Sequence, residues 1–213
     1  MSRRLICWLV MLVLLASCGD NVKKEYWENG NIKSELRYEG EKLNGVCTWY
    51  LPNGKPQMEV CYRDNKMNGR LRRWHENGNI MEECWYRDGV QDSVSRVYSL
   101  HGTLVCQSYY RDGKLDGEFK RWYENGQLFQ DGQYAEDWMD GSWMIFYPDG
   151  ALAATASFDK GAGTQTSYEQ SGYKCLVTNY LDNVKHGKET YYNPDGRVTR
   201  IAYYEYGEWV RDE

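Results

Sequence analysis

The chain has 213 residues, a formal charge of −5, 15% aromatic side chains and only 4 prolines. An acidic mean charge repels phosphate backbones, so a nucleic-acid partner is excluded unless a local basic patch overrides the mean. Abundant Tyr and Trp beside sparse Leu, Ile and Val suit strands and exclude a helical bundle.

The first element is residues 1–17. Arg3 and Arg4 precede an apolar run of eleven residues, Leu5 to Leu15, and Leu15-Ala16-Ser17-Cys18 closes it with small residues before a cysteine. Such a run is too short to span a bilayer and fits a signal-peptide h-region. Its last four residues resemble the lipobox of bacterial lipoproteins. That resemblance implies cleavage before Cys18 and lipid on its thiol and new amine, and several acyl chains on one residue anchor stably. Residues 18–24 then read as a tether. Gly19 stands where an inner-membrane retention signal places Asp, which points to the outer membrane of a bacterial cell envelope.

From residue 25 an aromatic recurs every twelve residues: Tyr26, Tyr38, Tyr50, Tyr62, Trp74, Tyr86, Tyr98, Tyr110, Trp122, Tyr134, Phe146, Phe158, Tyr168, Tyr180, Tyr192 and Tyr204, with a single interval of ten at Phe158–Tyr168. Gly30, Gly54, Gly78, Gly102, Gly126, Gly150, Gly172 and Gly196 keep a step of 24, once 22. A fixed period of this length marks a tandem array, in which each unit packs mainly on its neighbours. Residues 25–206 thus divide into eight units.

Each unit holds two turns. In the first, as at Glu124-Asn125-Gly126, Pro52-Asn53-Gly54 and Pro148-Asp149-Gly150, Gly takes the left-handed position of a three-residue hairpin loop. That loop sets Tyr26 opposite Ile32, Trp74 opposite Ile80, Tyr98 opposite Leu104, Trp122 opposite Leu128, Phe146 opposite Leu152 and Tyr192 opposite Val198. Tyr50–Pro56 and Tyr168–Lys174 break the aromatic–aliphatic rule, so weaker or distorted pairing is expected there. The second connection reads Tyr110-Arg-Asp-Gly-Lys-Leu-Asp-Gly117 and shrinks by two residues to Phe158-Asp-Lys-Gly-Ala-Gly163. An even deletion keeps later side chains on their original face. Asp92-Ser93 replaces Asp-Gly, so that segment must do without an easy left-handed glycine.

The Tyr-x-x-Gly-Lys-x-x-Gly segment from Tyr110 and the [Tyr/Trp]-x-x-[Asn/Asp]-Gly turns resemble the MORN repeat family in its bacterial variant form, across about residues 25–206. The resemblance implies an all-β fold, an elongated single-layer antiparallel sheet of successive hairpins. Sixteen strands at roughly 4.8 Å each span about 75 Å. Residues 207–213, with Glu208, Arg211, Asp212 and Glu213, read as a charged cap that blunts the exposed edge. The period of 24 and the missing second Gly-x-Gly pair separate the chain from the eukaryotic form, so the membrane-lipid binding linked to that form does not carry over. Some bacterial relatives are labelled antitoxins.

Residue types that would carry catalysis are absorbed by the repeat. His75, His101 and His186 all occupy turn or surface positions, and the Asp residues before Gly are explained by turn chemistry. Cys47, Cys61, Cys84, Cys106 and Cys175 share no spacing and read as small apolar residues rather than a metal site or disulfide frame. The chain therefore reads as no enzyme, with no metal and no cofactor. The leading function is a lipid-anchored module that presents a sheet face to a protein partner. Glycan binding by stacked rings is the alternative. An antitoxin role would need a cytoplasmic partner, which the export signal opposes. The eight ring residues Tyr26, Tyr50, Trp74, Tyr98, Trp122, Phe146, Tyr168 and Tyr192 form the structural ladder. Trp27, Trp49, Tyr123, Trp143, Tyr147 and Tyr191 are offset from ladder positions by an odd number. Alternation places them on the opposite face, as the candidate partner surface whose substitution leaves the melting temperature nearly unchanged.

Overall fold

The computed structural model describes residues 21–213. The expected signal peptide, residues 1–17, and the expected lipidation site Cys18 lie outside the described residues. Among those described there is no helix, and one sheet holds eighteen strands. They are β1 (Asn21–Tyr26), β2 (Ile32–Glu39), β3 (Lys42–Leu43), β4 (Gly45–Tyr50), β5 (Pro56–Arg63), β6 (Lys66–Trp74), β7 (Ile80–Arg87), β8 (Val90–Tyr98) and β9 (Leu104–Arg111), followed by β10 (Lys114–Trp122), β11 (Leu128–Ala135), β12 (Trp138–Phe146), β13 (Leu152–Asp159), β14 (Ala162–Tyr168), β15 (Lys174–Leu181), β16 (Val184–Tyr192), β17 (Val198–Glu205) and β18 (Glu208–Asp212).

Every strand pairs antiparallel with its neighbour in the chain, and β3 and β4 run end to end along β2. β1 begins at Asn21 and pairs with β2 from Asn21↔Tyr38, so the last residues of the expected tether already belong to the sheet. At the other end Glu208–Asp212, within the expected charged cap, forms a strand on β17.

All eight three-residue loops set the expected register, including Tyr50↔Pro56 and Tyr168↔Lys174, so neither loses its pair. Gly54 N donates to Leu51 O and Leu51 N to Lys55 O, each at 2.8 Å, and Gly54 sits at φ 81°. The loop's backbone, not the facing side chain, fixes the register.

A bulge just past the first ladder pair of each loop overturns the single aromatic face. Trp49 pairs with Met58 but Tyr50 with Pro56, which leaves Gln57 as a bulge; the same skip recurs between Arg73 and Trp74, leaving Met81. A bulge adds one residue and reverses alternation beyond it. The twelve-residue ladder therefore divides between faces. Tyr62, Tyr86, Tyr110, Tyr134, Phe158, Tyr180 and Tyr204 lie on the front, while Tyr50, Trp74, Tyr98, Trp122, Phe146, Tyr168 and Tyr192 lie on the back.

The second connection is a two-residue turn, Asp112-Gly113 or Asp64-Asn65, with both residues at positive φ, followed after two or three paired residues by a second bulge containing Gly69, Gly117, Gly141 or Gly187. Each of these glycines faces a front-series ring across the ladder: Gly69↔Tyr86, Gly117↔Tyr134, Gly141↔Phe158, Gly187↔Tyr204. Gly117 is at φ 123°, and a Cβ there would come within 3.1 Å of Tyr109 Cβ. Ser93 fills the position in β8 and takes φ 78°, the left-handed backbone expected of it. β13 and β14 pair without interruption from Ala154↔Ser167 to Asp159↔Ala162, so the two-residue deletion removes this bulge and leaves the face intact.

The core is the middle row of the front face, in which Cys47, Val60, Leu71, Cys84, Ser95 and Ser108 are successive partners. All six are buried, although among the described residues no second layer covers them. Flanking side chains of the same face close over the row: Trp49 and Met58 on one side, Tyr62, Met67 and Tyr86 on the other.

Candidate functional site

The six residues expected to form one partner surface separate into four environments. Trp143 is 2% exposed and belongs to the front core, which corrects its assignment to a partner surface. Its ring meets Phe119 (centroids 5.8 Å apart), Tyr134 (5.1 Å) and Phe158 (6.4 Å), and it lies against Gly132, where a Cβ would come within 2.1–2.5 Å of the indole. Its spacing of three from Phe146 is odd, yet Phe146 is a back-series ring, so the opposite face is the packed one.

Trp27, Tyr123 and Tyr147 follow a ladder residue directly and enter the three-residue loop. Each is half-buried, and its polar tip reaches the corresponding strand end of the next unit: Trp27 Nε1 donates to Tyr50 O (3.1 Å), Tyr123 OH to Phe146 O (2.9 Å) and Tyr147 OH to Tyr168 O (2.8 Å). His75 Nε2 lies 3.0 Å from Tyr98 O in the same position. Asn29, Asn77 and Asn125 add a second stitch, donating to Pro52 O, Leu100 O and Pro148 O of the following loop. These residues tie loop to loop. Sequence reasoning assigned the asparagines to local turn chemistry, and their recurrence at the repeat period was the signal for the longer link.

Tyr191 lies on the front face beside the buried carboxylate of Glu189, which is 1% exposed. Glu189 accepts hydrogen bonds from Lys185 Nζ (2.6 Å), Tyr191 OH (2.8 Å) and Thr178 Oγ1 (3.0 Å). Burial pushes the Glu189 carboxyl upward, but the bonds from Lys185, Tyr191 and Thr178 outweigh it and hold the group below its ordinary value. Tyr191 is pushed up to about 12 by burial and by the carboxylate it serves. A carboxylate bonded on all sides is a structural hub rather than a proton donor or acceptor for chemistry.

Trp49 is the candidate whose surroundings are open. It borders a cleft of about 300 Å³ at the three-residue-loop edge, lined also by Gln57, Met58, Arg73, Trp74 and Met81. Two successive bulges build it, because Gln57 and Met81 are the residues each bulge leaves without a partner across the strand pair. Arg73 stands at the rim, paired with Glu82 at 3.2 Å. Two indoles and two thioethers give apolar walls, and Gln57 and the Arg73–Glu82 pair are the polar groups. Such a lining can hold an apolar side chain but assembles no nucleophile and base.

Cys84 is pushed up to about 11 by burial, so it is a thiol and a small apolar residue at neutral pH. The five described cysteines are unpaired. No group of three or more metal-binding side chains occurs among the described residues.

A family model described as the MORN repeat variant matches residues 20–39, 43–64, 67–88, 115–136 and 185–206, together about half of the chain. No curated protein matches it.

Proposed function

The chain belongs to the MORN repeat variant family, and on that premise we propose that it is a lipid-anchored, non-catalytic scaffold of the bacterial cell envelope that binds a partner protein in the cleft between Trp49 and Trp74. Repeat sheets of this family are interaction modules. The observation that supports the site is the cleft itself, with two indoles and two Met side chains meeting at adjacent bulges. Rigid aromatic rings anchor protein contacts at low entropic cost, and Met adapts to the shape of an inserted side chain. The partner segment supplies an aliphatic or aromatic anchor. Anchoring rests on Leu15-Ala16-Ser17-Cys18 and places the sheet at a membrane surface, the outer membrane in preference to the inner.

Membrane fractionation and intact mass test the anchor: Cys18→Ser moves the protein to the soluble or unprocessed fraction, and the parent shows loss of residues 1–17 plus added lipid. Affinity capture tests the cleft. Met81→Glu places a charge in the cleft at a residue outside the front core, and it is expected to lose the captured partner while melting like the parent. Equal recovery of the same partner by both proteins would remove the cleft from the proposal.

A further inference from the structure

The back face changes character along the sheet. From β4 to β9 its middle row reads Thr48, Glu59, Arg72, Glu83, Arg96, Gln107, each the registered partner of the next. From β12 to β15 the same row reads Met144, Thr155, Thr166, Val177, and a parallel row nearer the two-residue turns reads Ser142, Ser157, Thr164, Asn179. This second patch contains no ionisable group.

The hydroxyls of Ser142, Thr155, Ser157 and Thr166 make no hydrogen bond to another described residue, and Thr164 donates to Asn179 Oδ1 (2.9 Å) while keeping its acceptor capacity. Thr190, next in the middle row after Val177, is 8% exposed, and its hydroxyl is likewise without a partner in the chain. That hydroxyl still reaches the surface, because Arg70 Nε is the sole fully buried side-chain nitrogen or oxygen without a partner among the described residues. A largely buried hydroxyl without a partner gains more from a ligand hydrogen bond than a solvated one does.

Phe146 and Tyr168 border the patch on the same face, two residues beyond Met144 and Thr166 on their strands. We propose that this patch binds a linear neutral polysaccharide, whose hydroxyls meet the Ser/Thr rows while its C–H faces lie against Phe146 and Tyr168. Neighbouring strands repeat the donors at roughly 4.8 Å, so a polymer gains a contact at each strand where a monosaccharide meets one or two. Charge selects the class. The rows themselves hold no ionisable group and their border carries both signs, Asp131 and Lys120 beside Met144 and Lys174 opposite Tyr168, which favours an uncharged chain over a polyion of either sign.

Co-sedimentation of the full chain in detergent with microcrystalline cellulose and with chitin tests the proposal. The parent is expected in the pellet with at least one of them. The double variant Thr155→Val, Thr166→Val keeps side-chain shape and β-branching, and removal of two hydroxyls is expected to weaken binding about tenfold with little change in melting temperature. Met81→Glu, in the separate cleft, is expected to sediment like the parent. The proposal is overturned if the parent sediments with neither polymer, if the double variant binds as well as the parent, or if Met81→Glu abolishes binding.

Discussion

Residues 56–108 and residues 117–180 occupy corresponding courses of one sheet, yet they are filled differently on both faces. In the first stretch the front row is small or aliphatic, with Val60, Leu71 and Cys84 under Tyr62 and Tyr86 and Ser95 and Ser108 beyond them, and the back row alternates acid and base. There Glu83 receives Arg72 at 2.9 Å and lies within 4 Å of Arg70 and Arg96. In the second stretch Phe119, Tyr134, Trp143, Phe158 and Tyr180 form an unbroken chain of ring contacts on the front, while the back carries hydroxyls. Size is balanced locally, since Gly132 and Ala156 flank Trp143 across the strands. The comparison teaches that the loops and bulges set backbone register on their own, which frees each stretch to choose its own packing.

The sharpest test acts on the aromatic stretch. Trp143→Ala is expected to cost about 3–5 kcal/mol in denaturant unfolding. Gly132→Ala is expected to destabilise by a similar order, because its Cβ meets the indole rather than open space. Combined, the two changes should cost clearly less than their sum, since removing the ring removes the clash; strict additivity would mean the ring does not lie on Gly132. In the aliphatic stretch Leu71→Ala should cost about 2–4 kcal/mol, and a larger loss than at Trp143 would reverse the ranking of the two cores.

Beyond both stretches, Glu189→Gln is expected to cost about 1–3 kcal/mol at pH 7 through its weakened bonds to Lys185 and Tyr191. Glu189 is held below its ordinary value of 4.5, so its contribution is present above that pH and is lost as pH falls through the folded value. Melting curves of parent and variant should therefore converge below about pH 4.5; a gap that widens in acid would contradict the assignment. On the charged back row Arg72→Met should cost about 1 kcal/mol or less, and the loss should shrink in high salt. The smallest effect is a gain. Ser93→Gly relieves a left-handed backbone at φ 78° and should stabilise by about 0.5–1 kcal/mol.

Much of the fold was legible because its determinants are local. Three-residue loops ending in Gly gave all eight registers, and the shortened Phe158–Gly163 connection was accounted for by counting two residues. The bulges at Gln57 and Met81 were not legible, since an extra residue beside a hairpin leaves no mark in composition or turn type. Missing them placed both ring series on one face and Trp143 on the wrong one. The same omission hid the cleft, of which Trp49 alone was anticipated.

By itself the sequence determined the repeat, the strand count apart from the short β3 and the terminal β18, and the pairing across each loop, because turn geometry depends on the residues within the turn. Tertiary structure decided which face each ring occupies, that Trp27, Tyr123 and Tyr147 stitch neighbouring loops, and that Glu189 is a buried hub. Those outcomes depend on alternation carried through bulges and on partners on neighbouring strands and loops, and a side chain's surroundings are set by what the sheet brings beside it.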